Sequence, residues 1–219
     1  MAAKTIGVEQ RFELFAKLGA NTNWDELDPS GIQSLIDSPR NAGLQFTEFL
    51  RNGGQVKFEL KAFPTWKTIK LGTGPQTADD FRKVIRAAGM KIRDWANDIL
   101  GKPAFTASET GQEVDSVVVT PKELGFRGDA PYKDICGKAI ELGFELCPAE
   151  FGPQLRLQHP DQPKDEWLTV AMKPITSSGG PLFVFVVGHN GAGLWLSVNF
   201  GGPDDVWNAD VRFVFVRRK

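Results

Sequence analysis

Residues 181–219 read PLFVFVVGHNGAGLWLSVNFGGPDDVWNADVRFVFVRRK, and this stretch decides the fold. Residues 182–187 are an unbroken apolar run rich in Val and Phe, the pattern of a strand covered on both faces. His189-Asn190-Gly191-Ala192-Gly193 follows, and its glycines supply the positive φ that a hairpin loop needs. The next run alternates. Leu194, Leu196, Val198 and Phe200 share one side, and Trp195, Ser197 and Asn199 share the other, so one face is core and the other is wet. Gly201-Gly202-Pro203-Asp204-Asp205 is a second turn cluster. Val211, Phe213 and Phe215 then give a third strand its inward set. The expectation is a meander of three antiparallel strands with helices laid over it. Burying one Phe or Leu contributes roughly 1.5–3 kcal/mol, so this sheet anchors the core. Arg217-Arg218-Lys219 reads as a solvated basic end.

Working outward, Leu155 and Leu157 alternate with Arg156 and Gln158, and Trp167, Thr169 and Ala171 alternate with Leu168, Val170 and Met172. Two strands pairing across the 159–164 loop are predicted. Residues 144–147 form a short apolar strand that Pro148 halts, and residues 114–119 form another. A helix begins after Gly128-Asp129-Ala130-Pro131; its stripe is Tyr132, Ile135, Cys136, Ala139, Ile140 and Leu142, and Gly143 stops it. Thr120-Pro121-Lys122-Glu123 is a capping box with Pro at the first helical position. The small, polar tract 102–112 is the best linker candidate. It divides a mainly helical region, 1–102, from an α+β region, 113–219.

In the first region, Phe12, Leu14, Phe15 and Leu18 make one helical stripe. Asp28-Pro29 and Ser38-Pro39 are start signals for two more helices, whose inner sides are Ile32, Leu35 and Ile36, then Leu44, Phe46, Phe49 and Leu50. Residues 56–62 and 66–71 alternate as two short strands around Pro64. Thr77-Ala78-Asp79-Asp80 opens a helix ended by Gly89, and Ile92, Trp95, Ala96 and Ile99 form the stripe of a second, ended by Gly101. Two short helices joined at a glycine resemble a helix-turn-helix. The match is partial, because Ile85 stands where a small residue is usual and Asp98 where an apolar one is. The expected fold class is therefore α+β: a helical N-terminal part and a helical hairpin at 77–101, packed with a C-terminal, mostly antiparallel sheet.

Composition narrows function by exclusion. The chain has 219 residues, 41% hydrophobic and 24% charged, with net charge −1. No global field draws it to nucleic acid or an anionic membrane. No apolar run approaches the roughly 18 residues of a membrane span, and residues 1–10 lack the apolar segment of a signal peptide. Two cysteines, Cys136 and Cys147, are too few for a disulfide framework or a zinc site. A cytoplasmic protein with reduced thiols is expected, with no membrane partner.

Recognised catalytic motifs are missing. Gly72-Thr73-Gly74 lacks the remaining glycines and the lysine of a phosphate loop, and no GxSxG, HExxH or CxxC occurs. No cofactor and no metal is expected. His159 and His189 are the ordinary neutral-pH titrators; with Glu150, Asp161 and Glu166 they make an acid–base or metal site only if folding gathers them. Cys136 lies on an apolar stripe as a buried thiol. Cys147 is a nucleophile only if a histidine approaches it. Trp195, Trp207, Asp204, Asp205 and Asp210 sit on or beside the wet side of the last sheet, where aromatic and acidic groups together hold sugars, peptides or a protein surface.

Four runs share a distinctive character: Asp94-Trp95-Ala96-Asn97-Asp98-Ile99-Leu100, Glu145-Leu146-Cys147-Pro148-Ala149-Glu150, Gly152-Pro153-Gln154-Leu155-Arg156-Leu157 and Arg212-Phe213-Val214-Phe215-Val216. Together they resemble a family of predicted, uncharacterised bacterial proteins over most of the chain. The resemblance implies a bacterial cytosolic setting and carries no activity, so it transfers no functional residue.

Three functions are compatible with these observations. The leading one is a non-enzymatic binding protein, for a protein or small-molecule partner, that uses Trp195, Trp207, His189 and Asp210. The second is a DNA-binding regulator using Arg82, Lys83, Arg86, Lys91 and Arg93 of the 77–101 hairpin; over residues 77–102 six basic side chains against four acidic ones leave a weak footprint. The third is a hydrolase centred on His159, His189 and Glu150.

Overall fold

The structure, a computed structural model, describes residues 6–26, 29–37, 39–51 and 63–217. The chain divides into two units, Met1–Glu59 and Leu60–Lys219. The 102–112 tract lies inside the second unit. There the Ser108 backbone N–H donates to the Glu150 carboxylate at 2.8 Å, a long-range bond that a polar composition does not reveal.

The first unit is helical, with α1 (Val8–Ala20), α2 (Pro29–Asp37) and α3 (Pro39–Arg51). Proline opens α2 and α3 as the start signals predict. The stripes expected to be inner sides are only partly covered: Phe12, Phe15, Ile36 and Leu44 keep more than half their surface in solvent, while Leu14, Ile32, Phe46 and Phe49 are half-buried. The alternating segment 56–62 lies outside the described residues.

The second unit carries a large mixed sheet. In chain order it runs β1 (Lys67–Leu71), α4 (Ala78–Ala87), β2 (Lys91–Ile92), α5 (Asp94–Leu100), β3 (Gln112–Val119), α6 (Pro121–Leu124), β4 (Ala130–Pro131), α7 (Tyr132–Glu141), β5 (Phe144–Glu145), α8 (Phe151–Gln158), β6 (Trp167–Val170), β7 (Ile175–Thr176), β8 (Leu182–Asn190), β9 (Gly193–Phe200), β10 (Val206–Trp207) and β11 (Phe213–Arg217). The strand order is β1-β3-β11-β6-β8-β9-β2. Most pairings are antiparallel; β11–β6 and β9–β2 are parallel.

Three expectations are corrected here. β8 and β9 form the predicted hairpin, but β11 does not continue it as a meander; it inserts between β3 and β6. β10 pairs instead with β4 in a separate two-stranded sheet, which carries the chain across. Residues 155–158, read as a strand, are the end of helix α8. Between α4 and α5 the chain forms β2, which pairs beside β9 at Lys91↔Trp195 and Ile92↔Leu196. The 77–101 tract is thus helix–strand–helix, because Lys91 and Ile92 satisfy backbone groups on a sheet edge rather than making a turn.

Local signals hold where the bonds are local. Thr77 Oγ1 accepts from Asp80 N–H at 3.2 Å, and the Asp80 carboxylate accepts from Thr77 N–H at 3.1 Å. Thr120 and Glu123 make the same reciprocal pair. These are complete capping boxes.

The core follows the alternation at Leu196 but not along all of β9: Phe200, expected inward, is exposed at the end of the strand, and Ser197, expected in solvent, is buried. Phe183, Phe185, Val187 and Leu196 are buried. α8 packs over this face, with its Phe151 and Leu155 fully buried. Gly152 of α8 lies so close that an added Cβ would sit 2.6 Å from Phe185 Cβ. Tyr132, Trp207 and Phe213 form an aromatic group with centroids 5.0–6.2 Å apart. Among the described residues no helix is long and apolar enough to cross a membrane.

Candidate binding groove

Alternation places Val184, Val186, Gly188, Ser197 and Asn199 on the side of β8 and β9 opposite the helix-covered one. Thr169 of β6 pairs with Val186, and Trp167 with Gly188. A groove of about 800 Å³ lies over this wet side. Arg93, just after β2, stands at one end; Trp207, Asn208, Asp210 and Arg212 stand at the other.

The floor is made by small or buried polar side chains. Ser197 and Thr169 are buried. Gly188 lacks the Cβ that would otherwise sit 2.2–2.6 Å from Trp167 Cε3, Cζ3 and Cδ2. Those three ring atoms lie at nearly one distance, so the indole rests face-on against the strand. Trp167 keeps 38% of its surface exposed along the groove. Trp207 is buried, and its indole nitrogen has no hydrogen-bond partner among the described residues.

The charges are of both signs. Glu166, in the lining, is bonded by Arg212 Nη1. Arg93 lies over the Trp195 ring at 5.1 Å, with Lys91 over the same ring at 5.0 Å. Among the described residues, Arg93, Asp165 and Asp210 make no ion pair. Asp165 has φ +65°, a left-handed backbone that Asp tolerates better than most residues.

Next to Glu166 lies a polar cluster built around a buried histidine, with Asp161 on its exposed side. His159 is 5% exposed. Its Nδ1 is 3.0 Å from Asp161 Oδ1 and 3.1 Å from Lys67 Nζ, and its Nε2 is 3.3 Å from Glu166 Oε2. A protonated Nδ1 donates to Asp161, while the ammonium of Lys67 has no lone pair to receive that proton. The His159 hydrogen bond holds the Asp161 carboxyl below its usual range. Arg156 is fully buried. It donates to Gln162 Oε1 at 2.6 Å, to Gly188 O at 3.3 Å and to His159 O. Burial pulls its guanidinium down to about 10, opposed by Glu166.

The site residues proposed from sequence are only partly gathered. Trp207 and Asp210 line the groove. Trp195 is half-buried, in contact with two cations, and donates to Asn190 Oδ1 at 3.0 Å. His189 lies within β8, and its Nδ1 donates to the Gln162 carbonyl at 2.6 Å. His159, Asp161 and Glu166 come together. Glu150 stands apart from them at the opposite end of α8, and its carboxylate accepts the Gly72 and Ser108 backbone N–H groups. Eight residues of helix separate the two ends, roughly 12 Å. The hydrolase trio is therefore not assembled. Cys147 is buried, with its thiol donating to Val214 O. Burial raises both thiols, Cys136 to about 11 and Cys147 well above the ordinary range.

The five cations of the DNA alternative do not share one face of hydrogen-bonding groups. Arg82 is spent on Asp79, Asn97 Oδ1 and Asn97 O at 2.7–2.8 Å, Lys83 and Arg86 are exposed on α4, and Lys91 and Arg93 turn to Trp195. Among the described residues no three His, Cys, Asp or Glu are grouped as a metal ion would need. Trp167, Arg212 and buried Arg156 are the groups that sequence reasoning missed. A lone arginine between Leu155 and Leu157 was the available signal for the last. No family model, curated protein or solved structure matches this chain.

Proposed function

We propose that the chain is a non-enzymatic binding protein whose ligand lies in the groove over β6, β8 and β9. One observation carries this reading. The wet sheet face is concave and of small-molecule size, and three of its charged groups, Arg93, Asp165 and Asp210, have no ion-pair partner among the described residues. Trp207 and Asp210, singled out by sequence, both belong to its lining. No observation favours the DNA or hydrolase alternatives to the same degree.

Ligand-observed NMR with a library of small polar compounds tests the reading. Hits should lose binding in Asn199→Trp, which fills the groove from an exposed position. Hits that bind this variant as well as the parent chain would place the binding surface elsewhere and overturn the proposal.

A further inference from the structure

We infer that the ligand of this groove is a neutral oligosaccharide lying across the strands; this rests on the groove being the binding site. Three features point there. The first is shape. From β9 across β8 and β6 to the β11 side is three strand spacings, about 14 Å, so the groove suits a ligand longer than one ring.

The second is charge. Arg93 and Arg212 face Asp165, Glu166 and Asp210 in one lining. A polyanion would meet three carboxylates, and a polycation two guanidiniums. A chain of hydroxyls carries no charge and both donates and accepts, so it satisfies either sign. The carboxylates of Asp165 and Asp210 are planar groups able to engage two neighbouring hydroxyls at once, and Asn199 and Asn208, whose amide oxygens accept the Phe200 and Asp210 N–H groups, keep their NH2 donors for a hydroxyl.

The third is Trp167. Its indole is held flat by the absence of a side chain on Gly188 and keeps 38% of its surface exposed along the groove. A flat aromatic face fixed in this way packs the C–H face of a pyranose, while planar polar neighbours take the hydroxyl rim. A nucleic acid also stacks on aromatics, but its phosphates need the net positive lining that this groove lacks.

The full chain is tested on an array of neutral oligosaccharides of varied linkage, and the best binder is measured by titration calorimetry. Retention of at least one linkage class is expected. Its affinity should change little from about 50 to about 500 mM salt, although charge screening strengthens strongly over that range. Trp167→Ala should weaken binding by about tenfold, and Asn199→Ala, at an exposed position, should weaken it too. An array with no retained glycan overturns the inference. If a peptide or nucleotide library then binds in a Trp167-dependent way, the groove reading survives and the sugar assignment does not. Glycans bound equally by the parent and both variants would sink the groove itself.

Discussion

Gly152→Ala probes the contact that seats α8 on the sheet. The added Cβ would lie 2.6, 2.7 and 2.8 Å from Phe185 Cβ, Cγ and Cδ2. Carbon–carbon contacts settle at roughly 3.5–4.0 Å, so something must move by about 1 Å. Phe185 cannot swing aside, because it is fully buried and packs edge-on against Phe105 at 6.2 Å. Overpacking of this kind costs about 1–3 kcal/mol. The better helix propensity of Ala offsets up to about 1 kcal/mol, and less at the second residue of a helix. The net expectation is a loss of about 1–2 kcal/mol. Urea unfolding followed by tryptophan emission reads this directly, since Trp66, Trp95, Trp167, Trp195 and Trp207 all belong to the second unit. Combining the change with Phe185→Leu, which frees space, should cost less than the sum of the single changes by about 0.5 kcal/mol or more. A Gly152→Ala chain as stable as the parent, or strict additivity, would refute the close seating of α8 on Phe185.

Glu150→Gln should destabilise the second unit by about 1–3 kcal/mol, because one of the two backbone N–H groups now held by the carboxylate would face an amide NH2; an unchanged urea midpoint would show that this clamp is not formed. Acid stability should carry the signature of Asp161. Its folded carboxyl titrates below the usual value of about 3.9, so its contribution is present above that value and lost as pH falls through the lowered one. Asp161→Asn should therefore flatten the acid limb of a midpoint-against-pH curve below about pH 4, and an identical limb in both chains would count against the His159–Asp161 bond. The two thiols should resist a soluble disulfide reagent at pH 8 until the chain unfolds. Their raised folded values also predict stability that is intact below the ordinary thiol range and declines as pH rises toward about 11; prompt labelling of the native chain would contradict their burial.

Much was legible in sequence because it is decided over a few residues. The boxes Thr77/Asp80 and Thr120/Glu123 close within one helical turn, and they formed as their spacing implied. The alternation of residues 194–200 needs only a period of two, and it put Leu196 in the core and Asn199 in the groove; it failed at Phe200, expected inward but exposed, and at Ser197, expected in solvent but buried. Short range is also where ambiguity enters. Residues 155–158 fit a strand by alternation and a helix by burial. Pro153, which reads as a breaker, stands in the first turn of α8, where a missing N–H costs nothing.

Long-range pairing settled the rest. β11 carries a strand pattern in its own residues, but nothing in them specifies β3 and β6 as neighbours; that choice depends on which sheet edges other segments leave open. Likewise, Arg156 is buried where Gly188, 32 residues away, adds an acceptor to those of its near neighbours Gln162 and His159, and Trp167 lies flat because a glycine faces it on the neighbouring strand. Local chemistry determines which elements form and which side of each turns inward. Only the tertiary structure decides which side chains meet, since meeting depends on partners that sequence distance does not encode.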